Sequence, residues 1–196
     1  MNLDFDLFKI EKGFQIPKVG RVLISEPFLR DMYFKRTVIL LTEHNEEGSV
    51  GFVLNKPLNV PFSEIVTDFP NFDMDISLGG PVSTNTLHYL HTFGELVPGS
   101  IKIIEGIYWG GDFDMIKSMI AEGQFDSSQI RFFLGYSGWQ ADQLEAELLE
   151  NSWVVSEMDP QSIMTLGSEN IWKNSLSKIG GKFKLWSNFP ENPSLN

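Results

Sequence analysis

The residues best placed to do chemistry are Gly135-Tyr136-Ser137-Gly138-Trp139, a serine bracketed by glycines. They stand between the apolar run Ile130-Arg131-Phe132-Phe133-Leu134 and the helix-forming stretch Gln140 to Glu145. A strand running into such a turn and then into a helix is a corner where nucleophilic serines and anion sites are built. A nucleophile elbow needs its second glycine two residues past the serine. Here that position is Trp139, and the glycine comes one residue early. Ser137 and Gln140 also have Ser-x-x-Gln spacing, that of a capping box. The pattern assigns Ser137 to capping a helix over 138–150 rather than to attack on a carbonyl. The same turn could take an anion on its free amides, with Gly138 allowing close approach and Tyr136 and Trp139 as walls. Glu145 and Glu147 make that neighbourhood acidic, so a structural corner is the weightier reading.

A second backbone-lined recess is suggested by Gly79-Gly80-Pro81, where glycines permit a tight turn or close chain packing. Asn55-Lys56-Pro57 could border it, with Lys56 as the nearby positive charge. The candidate ligand-binding residues are therefore Asn55, Lys56, Gly79, Gly80, Tyr136, Ser137, Gly138 and Trp139. No catalytic residue, metal ligand or cofactor is assigned. The imidazoles are His44, His88 and His91; on a strand the last two point to opposite faces and cannot share a metal. Asp112 and Asp114 resemble a catalytic carboxylate pair, yet both stand at a helix start, where acids favour the dipole. Gly110-Gly111 lacks the Lys-Ser/Thr of a phosphate loop.

At 196 residues with 42% apolar and 13% aromatic content, the chain is sized for one well-filled domain. Cysteine is absent, which removes disulfides, thiolate metal sites and thiol nucleophiles. The acidic start Met1-Asn2-Leu3-Asp4 does not read as a leader peptide, and apolar runs such as 38–42 are too short to span a membrane. The expectation is a cytoplasmic protein. Net charge is -11, and residues 151–196 carry four lysines against four acids, so the whole excess lies in 1–150. Such a field opposes the phosphate neutralisation that nucleic-acid binding requires.

The elements that must position these residues are read from periodicity and punctuation. Residues 1–18 form an arm that docks through Phe5, Phe8 and Phe14. Strands are expected over 21–25, 36–43, 49–54, 76–78, 86–93, 101–109, 130–134 and 153–156, with a hairpin across His44 to Gly48. Helices are expected over 61–68, 113–122 (capped by Asp112, stopped by Gly123), 138–150, 160–166 (Asp159 then Pro160) and 168–179, ended by Gly180-Gly181. The tail 188–196, with two prolines, is expected to fray. Hairpins and helix-flanked strands together predict an α+β domain on a mostly antiparallel or mixed sheet.

Taken in order, six segments resemble the AlgH/YqgE family of bacterial proteins. They are Val22-Leu23-Ile24-Ser25-Glu26-Pro27; Arg36-Thr37-Val38-Ile39-Leu40-Leu41 with His44; Gly51-Phe52-Val53-Leu54-Asn55-Lys56-Pro57; Gly79-Gly80-Pro81-Val82; Leu90-His91; and Phe133 to Trp139 with Gln143-Leu144-Glu145. The resemblance covers roughly residues 19–180. It implies an α+β fold containing a small closed β-barrel surrounded by helices. It attaches no reaction, although some members are labelled transcriptional regulators. The family's usual residue at Ser137 is Ala, which implies no nucleophilic role there.

Two functional readings follow. The first is a non-enzymatic protein that binds another protein or a small ligand, with regulation downstream and self-association through exposed aromatic residues such as Phe28 and Tyr33. The second is a small-molecule enzyme or sensor whose cleft is formed by 55–57, 79–81 and 135–139.

Overall fold

Ile130–Gln140 is a single eleven-residue strand in the computed structural model, which describes residues 7–11, 16–66, 69, 74–124, 126–165 and 170–190. The corner expected at Gly135 is therefore not a corner. Gly135 takes φ +64 without ending the strand, and the chain runs on through Trp139. The helix expected over 138–150 is shorter, Gln143–Leu149, and Ser137 caps nothing. Propensity favoured helix from Gly138 onward, but strand partners on both sides of the chain decide otherwise.

The strands are β1 (Val22–Ser25), β2 (Val38–Asn45), β3 (Gly48–Val53), β4 (Pro57–Leu58), β5 (Ile76–Leu78), β6 (Val82–His91), β7 (Ile101–Ile104), β8 (Ile107–Trp109), β9 (Ile130–Gln140) and β10 (Trp153–Ser156). The helices are α1 (Phe62–Ile65), α2 (Phe113–Ala121), α3 (Gln143–Leu149), α4 (Pro160–Met164), α5 (Ile171–Ile179) and α6 (Gly181–Trp186). All strands join one sheet, ordered β10-β1-β2-β3-β9-β6-β8-β7, with β5 on β9 and β4 on β5. Every pairing is antiparallel except β5 with β9.

The closed barrel implied by the family resemblance is corrected by this order: β10 and β7 stand at opposite ends, and among the described residues no ladder joins them. The sheet is open and mostly antiparallel, and the fold is α+β. The segment 101–109 is likewise not one strand but a hairpin, β7–β8, turning at Glu105-Gly106 with Gly106 at φ +80. The short α6, which starts at Gly181, had no signal in the sequence.

β9 is central. Its first half pairs with β5 on one edge and β6 on the other, and its second half pairs with β3. Alternate side chains feed different apolar clusters, Phe133 with β1, β2, α5 and α6, and Phe132 with α1 and α2. A third cluster gathers Trp139, Trp153 and Leu144 beneath α3. Asp112 and Asp159 cap α2 and α4 as their spacing predicts, accepting from Met115 N and Ser162 N.

Of the arm, Phe5 and Phe14 lie outside the described residues, as does 191–196 of the tail. Phe8 stacks on Trp186 at 5.7 Å, and the Trp186 indole donates to Leu7 O. Phe189 stacks on Phe28 at 5.5 Å. Among the described residues no helix is long and apolar enough to cross a membrane.

Candidate functional site

The three segments singled out by the sequence meet, through main-chain hydrogen bonds. Gly79 N–H donates to Leu134 O, Val53 N–H donates to Gly79 O, and Leu78 N–H donates to Lys56 O, all near 2.8–2.9 Å. Ser137 is fully buried, and its hydroxyl donates to Gly79 O at 3.0 Å. Space between the segments is filled: a Cβ on Gly79 would stand 2.2 Å from Gly135 O, and one on Gly80 2.3 Å from Tyr136 C. The glycines here let two chains touch.

Each neighbouring residue has its own task. Asn55 accepts from Val38 N and donates to Arg36 O, acting as a short extension of the β2 ladder. Lys56 Nζ donates to Met32 O at 2.9 Å. Gly138 lies under the Tyr136 ring, 3.1 Å from its Cε2 if given a Cβ. Trp139 and Trp153 both donate their indole N–H to Glu147 Oε2, at 2.9 and 2.7 Å, so one carboxylate of α3 fastens two strands.

Gly135 answers a further constraint. Val82 pairs with Tyr136 but Leu87 pairs with Leu134, so Ser83 to Thr86 bulge outward opposite Gly135 alone. A Cβ on Gly135 would lie 2.7 Å from Val82 O and 3.1 Å from Thr84 Cα.

The positive charge of this joint is Arg131, which the sequence reading passed over inside an apolar run. It is fully buried, and its hydrogen bonds go to carbonyls and the Ser77 hydroxyl. Nη1 donates to Ile163 O at 2.6 Å and Nη2 donates to Leu54 O. The guanidinium also lies over the Phe133 ring. Burial lowers its pKa to about 10, so it stays charged at neutral pH and ties the C-terminal carbonyls of α4 to the end of β3. Its signal was the lone arginine among Ile, Phe and Leu, since a buried cation must have dedicated acceptors.

Open space lies one strand away. A groove of about 460 Å³ runs along β6 where β8 stops, a volume typical of ligand sites. Its hydrogen-bonding phase follows from two bonds. Thr92 N–H donates to Gln129 O, so even-numbered residues of β6 face β9; Gly110 N–H donates to Tyr89 O, so odd-numbered ones face β8. β8 pairs with β6 only at Leu90 and His91. The chain then turns away through Gly110 and Gly111, at φ +67 and +103. The amide and carbonyl of Leu87 consequently point to an edge on which β8 places no strand.

β6 itself holds that turn in place. Tyr89 OH donates to Gly111 O at 2.6 Å, and His91 Nε2 lies 3.0 Å from Gly110 O. His91 Nδ1 accepts from Phe93 N–H, which assigns the neutral Nε2–H tautomer. Burial lowers the His91 pKa, opposed by its bond to Gly110. Burial pushes Tyr89 up to about 12, helped by the nearby charge of Asp112. His88 and Tyr89 leave the strand on opposite faces, so the groove straddles the edge, with His88 and Trp109 on one wall and Leu87 and Phe113 on the other. His88 packs against Phe52, Trp109 and Tyr136, its Nε2 is buried without a hydrogen bond, and desolvation lowers its pKa. Tyr136 thus links the glycine joint to the groove wall.

Two other constellations are structural. His44 Nδ1 lies 2.8 Å from Ser49 Oγ, and its Nε2 3.8 Å from Glu145. The order Ser–His–Glu is that of a relay, but the two are cross-strand partners in the β2–β3 hairpin and Ser49 is only 5% exposed. Asp112 is committed to its helix cap.

The AlgH-like family model matches residues 22–184. A UPF0301 protein of Bacteroides fragilis is 46% identical over 197 residues, covering all of both chains. One from Chlorobaculum tepidum is 42% identical, over 93% of this chain and 98% of its own. The solution structure of the AlgH protein from Pseudomonas aeruginosa superposes with TM-score 0.68 at 27% identity, covering 93% and 97% of the two chains. The crystal structure of protein DIP2367 from Corynebacterium diphtheriae shares the fold, with TM-score 0.71 at 22% identity over 89% of this chain and 93% of that one. With residues 22–184 matched and a relative 46% identical over its whole length, the chain belongs to the AlgH-like family.

Proposed function

We propose that this protein is a cytoplasmic, non-catalytic binding protein that engages a protein or small-molecule partner at the β6–β8 groove, with regulation exerted through that binding. The observation that carries this reading is the groove itself: aromatic walls on a floor of main chain, beside a glycine turn pinned by Tyr89 and His91. Rigid support of this kind favours recognition, because little freedom is lost on binding. The titratable groups there suit binding better than proton transfer. Tyr89 holds its proton to about pH 12 and spends it on a carbonyl, while His88 and His91 are kept neutral by burial. The joint of Asn55, Gly79, Gly80, Ser137 and Gly138 serves as the groove's foundation, through Tyr136. The net charge of -11 argues against nucleic acid as the partner.

The test is a fragment and metabolite screen read by the Trp109 indole and Leu87 amide resonances. Saturable shifts at these positions are expected. Shifts confined to other surfaces, or turnover of a metabolite abolished by one side-chain change, would sink the proposal.

A further inference from the structure

We propose that the groove accepts an extended, basic peptide segment that adds to the free edge of β6 in the line β8 vacates. The inference rests on the reading of this groove as the binding surface and names its partner by chemistry.

The floor supplies the first argument. Leu87 presents an amide and a carbonyl sideways, and β8 has turned off one residue past Trp109. A main chain in extended conformation matches such an edge, as in strand addition to an open sheet. Most small molecules satisfy one of these groups and strand the other. The walls supply the second. Because successive residues of an added strand point to opposite faces, its side chains would fall alternately toward His88–Trp109 and toward Leu87–Phe113. Ile101, half exposed at the rim, extends the apolar contact. The Ser83 to Thr86 bulge ends the regular edge and Gly110 already bonds to Tyr89 O, so the free stretch spans Leu87 and His88, about two residues at roughly 3.3 Å each, and a longer peptide runs past both ends.

Charge decides the peptide's composition. Asp112 is exposed between the groove residues Gly111 and Phe113 and close enough to raise the Tyr89 pKa, and Asp114 is exposed one position past Phe113. Lys102, on β7, is engaged with Glu105 at 2.6 Å. A segment alternating apolar residues with lysine or arginine complements this rim; an acidic one is repelled.

The probe is acetyl-Lys-Val-Lys-Val-Lys amide titrated into the full chain and followed by nitrogen–proton spectra and Trp fluorescence. Saturable binding is expected, with shifts at Leu87 and Tyr89 amides and slowed exchange at Leu87. The same peptide N-methylated at every residue is expected to bind at least about tenfold more weakly, having lost its strand donors. The Glu-Val-Glu-Val-Glu counterpart, and the Lys peptide against Ile101→Lys protein, are expected to weaken to a similar degree. Equal binding of the N-methylated peptide would overturn strand addition while leaving the groove a ligand site. No peptide binding, alongside fragment shifts at Trp109, would overturn the inference and spare the broader reading. Self-association through the Leu87 edge in place of peptide binding would overturn it as well.

Discussion

Gly135→Ala and Ser137→Ala, two changes in one short motif, are expected to differ sharply in cost. Ala at 135 must hold φ +64, which costs roughly 1–2 kcal/mol for an L-residue. Its Cβ also meets Val82 O at 2.7 Å and Gly80 O at 2.9 Å, both backbone, and overpacking of this kind adds about 1–3 kcal/mol. The sum is about 2–5 kcal/mol, with nothing flexible to give way. Ser137→Ala removes one hydroxyl donor from Gly79 O, but that carbonyl still accepts from Val53 N–H. Because no acceptor is orphaned, the loss is about 1 kcal/mol or less. For a domain of this size each kcal/mol moves Tm by about 2–4 °C. Thermal and urea unfolding followed by near-ultraviolet circular dichroism should therefore show a fall of about 4–20 °C for Gly135→Ala and at most about 4 °C for Ser137→Ala. Groove ligands should bind the Ser137→Ala protein normally. If Ser137→Ala is as damaging as Gly135→Ala, or erases a biological activity without touching Tm, the structural account of the motif is wrong.

Arg131→Ala should destabilise by about 3–5 kcal/mol in urea unfolding, since it removes the charged donor that the Ile163 and Leu54 carbonyls share. A cost under about 1 kcal/mol would show that these bonds contribute little. Acid should weaken the fold through His88 and His91, whose folded-state pKa values burial lowers beneath the usual 6.5. The unfolded chain then binds protons first, so their contribution is complete above about pH 6.5 and is lost as pH falls toward the folded values. Unfolding free energy should drop between about pH 7.5 and 5.5, and His88→Phe should flatten that slope. Glu26, raised by burial, acts with the opposite sign, in a window that opens at its ordinary value of about 4.5; a slope unchanged in His88→Phe would remove His88 from the argument.

The candidate joint was legible as residues but not as geometry. Gly79, Gly80, Gly135 and Ser137 announce close chain approach, and the structure places them against one another, yet as a filled seam instead of a cleft. Local spacing located the caps at Asp112 and Asp159 correctly because a cap is made by residues three apart. The same logic failed at Ser137, where Gly79, fifty-eight positions away in sequence, claims the hydroxyl. The β7–β8 hairpin was missed because Glu105-Gly106 is a weak turn signal inside an apolar run.

From sequence alone come the family, the acidic balance, most strands and the helix caps at Asp112 and Asp159, since each rests on composition or on neighbours a few residues apart. Tertiary structure decides whether the sheet closes, that β9 runs unbroken through its glycines, which carbonyls hold Arg131, and that β8 stops short to bare an edge of β6. These depend on register between distant strands, where the stabilisation comes from partners that no local pattern encodes.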